Sequence, residues 1–256
     1  MSAPLRVGIV NYLNSRPLAW SFLRGTAGEG IEAIFLSPAR VADALAAGEL
    51  DVGLVPSIEV QRIPGLTVLP GLCVAATQEV RSVLLLSRCP AGEIRRLALD
   101  ENSRTSAALV RILLRGIHGV EPECIAAKPD LKAMMAIADA ALVIGDPALR
   151  VERSRFVVHD LAAEWRRLTG RPFVFAVWAV RDGVDLGSRS QIFHRSLEEG
   201  MAGMEELIAG AVAEMNLPVD SVREYLTECL TFELGAAEQA GLDEFYRRAR
   251  ADGLID

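Results

Sequence analysis

Three short apolar runs, each giving way to polar residues at its C-terminal end, confine what the first 56 residues can form. Leu5–Val10 (LRVGIV) is too short for a buried helix and rich in β-branched side chains, the pattern of a strand covered on both faces. Ile31–Leu36 and Asp51–Val55 repeat it. Between them, Ser37 and Pro38 supply a helix N-cap and a first-turn proline, Val41 and Leu45 a buried face, and Gly48 a stop. Two consecutive β-α-β units require a parallel sheet with right-handed crossovers, so the class is α/β.

Ligands meet such sheets in the crevice outside the carboxyl ends of the strands. That rule picks out Asn11, Asn14, Ser15 and Arg16 after the first run, ahead of a helix expected from Pro17 to Leu23, and Ser57 after the third. Asn and Ser also shape turns, and either use is open to them here. Val68–Leu69 and Leu72–Ala76 are weak strand candidates, and Ser82–Ser87 (SVLLLS) is a strong one. Leu97–Leu99 then leads into the polar loop Asp100–Ser106 (DENSRTS) before a helix expected over Ala107–Arg115, with one of Ser103, Thr105 and Ser106 as its cap. Cys124–Ala127, Ala141–Ile144, Phe156–Val158 and Phe173–Val180 are further strands, and Asp160 caps a helix that Gly170 ends. From Gly187 onward the spacing predicts helices and no strand.

A chain of 256 residues, 51% hydrophobic, can fill one large or two small cores. Its net charge of −7 leaves no basic stripe for nucleic acid or an anionic membrane. No apolar stretch approaches the roughly 18 residues of a membrane span, and no basic-then-apolar leader opens the sequence, so a cytoplasmic, unprocessed protein is expected. Cys73, Cys89, Cys124 and Cys229 lack paired spacing and are expected to be reduced, buried thiols rather than bridges or zinc ligands. HExxH, GxSxG, Walker and GxGxxG patterns are all missing, and neither a metal nor an organic cofactor is expected. What remains is a set of loops carrying amides and hydroxyls.

In combination, GIVNYLNSRPL, DVGLVPSIE, DENSRTSAALVRILL, ADAALVIGDPAL and EWRRLTGRPFVFAVWA resemble the chorismate dehydratases of the futalosine route to menaquinone. These segments span Gly8 to Ala179, about two thirds of the chain. The resemblance implies a two-lobed fold similar to type II periplasmic binding proteins, with a cleft between the lobes and C-terminal helices. It implies that chorismate, a dianion, loses water to give 3-[(1-carboxyvinyl)oxy]benzoate, with Asn14 and Ser82 at the reacting ring. Asn11, Ser15, Arg16, Ser57, Ser103, Arg104, Thr105 and Ser106 are the expected substrate-binding residues. The sister enzyme, 1,4-dihydroxy-6-naphthoate synthase, has a first loop similar to SPCPNDTF, which NYLNSRPL does not match. A non-catalytic cytoplasmic binding module for a small carboxylate is the other reading of the same loops. The first lobe is expected to comprise residues 1–86 and 181–256, and the second, inserted lobe residues 87–180, with crossings near Ser87 and near Phe175–Val180.

Overall fold

The computed structural model describes residues 4–256, so the first three residues of the expected first lobe lie outside it. Strands β1 (Leu5–Val10), β2 (Ile31–Leu36), β3 (Val52–Pro56) and β4 (Leu66–Ala76) belong to one sheet. The chain then builds a second sheet from β5 (Val83–Ser87), β6 (Arg96–Asp100), β7 (Glu123–Ala127), β8 (Ala140–Ile144) and β9 (Val157–Asp160). It returns to the first with β10 (Phe173–Arg181) and β11 (Thr231–Leu234). The strand orders are β11-β4-β10-β3-β1-β2 and β7-β6-β8-β5-β9. β1 lies parallel between β2 and β3, as two right-handed β-α-β units demand, while β10 returns antiparallel between β3 and β4.

Sheet membership moves the expected lobe boundaries. Residues 86 and 180 fall inside β5 and β10, and the change-overs occur at 77–82 and 161–172 instead. Both strands are apolar up to their last residue, Ser87 and Arg181, and apolar runs do not declare which neighbour they will pair with. β11 is the strand that was not expected after Gly187. It adds to the edge of β4, and its four residues are too few for alternation to show in the sequence. The two weak strands at 68–76 are one, carried past Pro70 and Gly71 by a register shift opposite β10.

Among the described residues there are eleven α-helices: α1 (Trp20–Leu23), α2 (Pro38–Ala46), α3 (Glu59–Arg62), α4 (Thr105–Leu113), α5 (Leu131–Ile137), α6 (Asp146–Leu149), α7 (Leu161–Thr169), α8 (Gln191–Ala202), α9 (Met204–Met215), α10 (Val219–Glu224) and α11 (Ala236–Ala251). The helix expected from Pro17 starts later, because a single 3-10 turn at Leu13–Ser15 comes first. A π turn, Leu114–His118, extends α4. Among the described residues no helix is long and apolar enough to cross a membrane. All four cysteines are free; Cys73 and Cys229 are buried as expected, whereas Cys89 is half-buried and Cys124 exposed.

The main core runs beneath both sheets. Trp165 of α7, Phe173 of β10 and Phe245 of α11 pack edge to face, with centroids 5.0–6.3 Å apart, where the chain re-enters the first sheet. Trp165 also donates its indole N–H to Pro172 O at 3.0 Å, which satisfies the polar atom that burial would otherwise penalise.

The first site loop leans on α8. A Cβ built on Gly200 would stand 2.3 Å from Pro17 O, whereas one on Gly210 meets nothing within 4 Å. Replacing an exposed helical glycine with alanine gains about 0.5–1 kcal/mol, and overpacking costs about 1–3 kcal/mol. Gly210→Ala should therefore raise the urea midpoint and Gly200→Ala should lower it.

Candidate active site

The carboxyl ends of β1 and β3 in the first sheet face the β6–α4 loop of the second across a cavity of about 70 Å³. Asn14 and Tyr12 line it from one side, and Asn102 to Ser106 from the other; Phe175 of β10 forms part of its apolar wall.

Each lobe builds its loop with local hydrogen bonds. Ser15 donates its hydroxyl to Val10 O at 2.6 Å and so closes the turn after β1, although it also lines the cavity. Asn14, next to it, is half-buried on the cavity wall. In the second lobe the buried Asp100 carboxylate accepts from Asn102 N at 2.9 Å and Asn102 Nδ2 at 3.2 Å, which shapes the loop before α4.

The two lobes are also bonded to each other, through residues beside these loops. Leu13 N donates to Asp146 Oδ1 at 2.9 Å, and Ile58 N donates to Thr105 Oγ1 at 3.1 Å. Arg104 reaches from the second lobe to Asp43 and, at 2.9 Å, to the buried Glu59 of the first. The expected hydroxyl cap on α4 is therefore not made: its N-cap is Arg104, whose side chain makes no capping bond, and Thr105 is turned to the opposite lobe. Ser103 Oγ is buried and has no protein partner among the described residues.

Four expected site residues stand off the cavity wall in this conformation. Asn11 is exposed. Arg16 is paired with Glu214 of α9 at 2.8 Å. Ser57 gives its hydroxyl to Val174 O at 2.8 Å, and its carbonyl accepts from Tyr246 OH at 2.7 Å. Ser82 is fully buried, one residue before the cavity-lining Val83, and accepts from Tyr225 OH at 2.8 Å.

Tyr12 and Asn102 were not among the expected site residues, yet both lie inside the segments NYLNSRPL and DENSRTS. The Tyr12 ring rests on Gly145, where a Cβ would stand 2.9 Å from it and where φ is +66°. Only glycine suits both demands. Burial, reinforced by the charges of Asp100 and Asp146, pushes the Tyr12 phenol up to about 12, so it stays protonated at neutral pH. Burial also raises the Asp146 carboxyl, against the Leu13 N–H bond that lowers it, and burial likewise raises Asp100.

The chain as a whole has recognisable relatives. A model described as menaquinone biosynthesis matches residues 5–251. The chain belongs to that family. Over 98% of its length it is 29% identical to a protein of Thermus thermophilus named chorismate dehydratase, 96% of which is covered. A protein of Campylobacter jejuni with the same name is 25% identical over 80% of the chain and 78% of its own. In structure, a protein of Archaeoglobus fulgidus superposes with a TM-score of 0.81 at 15% identity, with 98% of each chain covered. The periplasmic aliphatic sulphonate binding protein of Escherichia coli gives 0.64 at 18%, covering 100% of this chain and 89% of its own. The family member thus has the two-lobed periplasmic-binding-protein fold, and the cavity lies where its two sheets meet.

The bond from Ile58 to Thr105 can be tested alone. Ile58 is fully buried, so Thr105→Val strands its N–H, at a cost of about 1–3 kcal/mol, while Thr105→Ser keeps the acceptor. Urea unfolding should show a lower midpoint at unchanged slope for valine and a near-native one for serine. Equal midpoints for all three proteins would contradict the bond.

Proposed function

We propose that this protein is a chorismate dehydratase, a hydro-lyase that eliminates water from chorismate to give 3-[(1-carboxyvinyl)oxy]benzoate on the futalosine route to menaquinone. The observation that carries this reading is the near full-length match to a chorismate dehydratase together with a cleft whose walls hold amides and hydroxyls. Chemistry supports it. Elimination creates an aromatic ring and is downhill, so the enzyme mainly has to orient the leaving hydroxyl and the ring C–H. Orientation can be worth about 7–11 kcal/mol, against a factor of about 10²–10⁴ for one general acid or base.

In this mechanism the enolpyruvyl carboxylate of the substrate takes the ring proton as the ring hydroxyl departs. That proton leaves with the hydroxide as water, so no protein group changes its protonation state over the cycle. Asn14 holds the ring from the first lobe. Ser82 already accepts a hydrogen bond from Tyr225, which leaves its own hydroxyl hydrogen for the departing oxygen. One substrate carboxylate is held by Ser103 and Ser106 and by the first N–H groups of α4, with Arg104 beside it.

Substrate entry requires motion. Ligand sites enclose about 300–1,000 Å³, well above the cavity of about 70 Å³ between the lobes. The lobes part to admit chorismate, which breaks the Leu13–Asp146 and Ile58–Thr105 bonds and brings Ser82 within reach.

Incubation of the purified chain with chorismate, followed by mass analysis, tests the reading: a product lighter by one water is expected. Asn14→Ala and Ser82→Ala should each lower turnover by about 10²-fold, the scale of a lost orientation, with chorismate still bound. Recovery of intact chorismate from wild-type protein that demonstrably binds it would make the chain a binding module instead.

A further inference from the structure

Away from the cleft, the second lobe gathers two imidazoles and a carboxylate from three separate elements. His118 closes the π turn after α4, His159 lies in β9, and Glu164 stands in the first turn of α7. One donor atom from each lies within 4.8 Å of the other two, and all three residues are half-buried. None of them lines the cleft.

His159 Nδ1 is 3.2 Å from Glu164 Oε1. Two ligands about 2.0–2.1 Å from a tetrahedral zinc ion stand roughly 3.3 Å apart, so this pair already has the required separation. The distance of 4.8 Å has to shrink by at most about 1.5 Å for His118 to join them, a movement within reach of side-chain rotation. Its ring meets that of His159 edge-on, with centroids 5.7 Å apart.

The surroundings favour an ion over a bare hydrogen bond. Arg167 donates to Glu164 Oε2 at 2.5 Å, which orients the carboxylate and leaves Oε1 to act as a single ligand. His159 Nε2 is buried and has no partner among the described residues. The imidazole proton can sit on that nitrogen, which frees the Nδ1 lone pair. A His159–Glu164 hydrogen bond explains two of the three groups and gives no reason for His118 to face them.

We propose that His118, His159 and Glu164 bind one zinc ion, with water as the fourth ligand, and so tie β9 and α7 to the end of α4. Two nitrogens and one carboxylate oxygen suit zinc better than magnesium or calcium, which prefer all-oxygen shells. The residue after His159 adds a structural consequence. Asp160 accepts from the N–H groups of Val80 and Arg81, so the ion would stiffen the strand that anchors the first crossing between the lobes.

Zinc chloride titrated calorimetrically into the full chain, previously stripped with a chelator, tests the site. One ion per chain is expected, with a rise in Tm as zinc is added. His118→Gln and Glu164→Gln should each weaken zinc binding about tenfold or more, the scale on which even outer-shell changes act. Both should unfold near the wild-type temperature when metal-free. Cobalt bound in place of zinc should give the visible absorption of a four-coordinate site, lost in both variants. Absence of saturable one-to-one binding overturns the proposal, as does zinc affinity unchanged in His118→Gln. Zinc binding that disappears instead in Cys124→Ser would place the ion at the exposed thiol and equally overturn it.

Discussion

Glu59 carries a carboxylate that is only 2% exposed, and the way it is neutralised holds the cleft together. Arg62, three residues on, supplies one partner at 3.1 Å, and Arg104 from the opposite lobe supplies the other at 2.9 Å. Removing one member of a buried ion pair costs about 3–5 kcal/mol, because the remaining charge is stranded, so the β6–α4 loop is drawn to the end of β3. The Ile58–Thr105 bond lies beside this pair in sequence on both sides, and the Leu13–Asp146 bond joins the other loop of the first lobe to α6. Polar groups at strand ends thus do two jobs: some close the lobes on each other, and others are left facing the cavity.

That division explains how much of the site could be read from the sequence. Of the residues picked out by the strand-edge rule, Asn14 and Ser15 line the cavity while Asn11, Arg16 and Ser57 do not; Ser103, Arg104, Thr105 and Ser106 of the polar loop before α4 line it as well. It could not say which hydroxyl would be spent where. Thr105 is at a helix start and looks like a cap, but its partner is Ile58, 47 residues away. Ser57 and Ser82 look equally available until Tyr246 and Tyr225 arrive from the far C-terminal region and bond to them. Partners this distant leave no local pattern.

The same contrast holds for the fold. β1, β2, β3 and α2 were legible because periodicity, capping residues and loop length agree with one another over short spans. The points where the chain changes sheet were not, because β5 and β10 are apolar up to their last residue and their sheet is chosen by distant neighbours. β11 exists only as an addition to the edge of β4. Topology, unlike periodicity, is written in pairings.

A cleft whose lining holds no histidine or carboxylate among the described residues, with Tyr12 held protonated, is poorly equipped for strong acid–base work and well equipped to position a ligand. This is the central claim, and a crystal structure of Ser82→Ala soaked with chorismate tests it most directly. The account predicts a wider cleft, with the ring of the ligand against Asn14 and one carboxylate on Ser103, Ser106 and the first amides of α4. Chorismate bound outside the cleft, or inside it with both carboxylates turned away from the loop at 103–106, would contradict it.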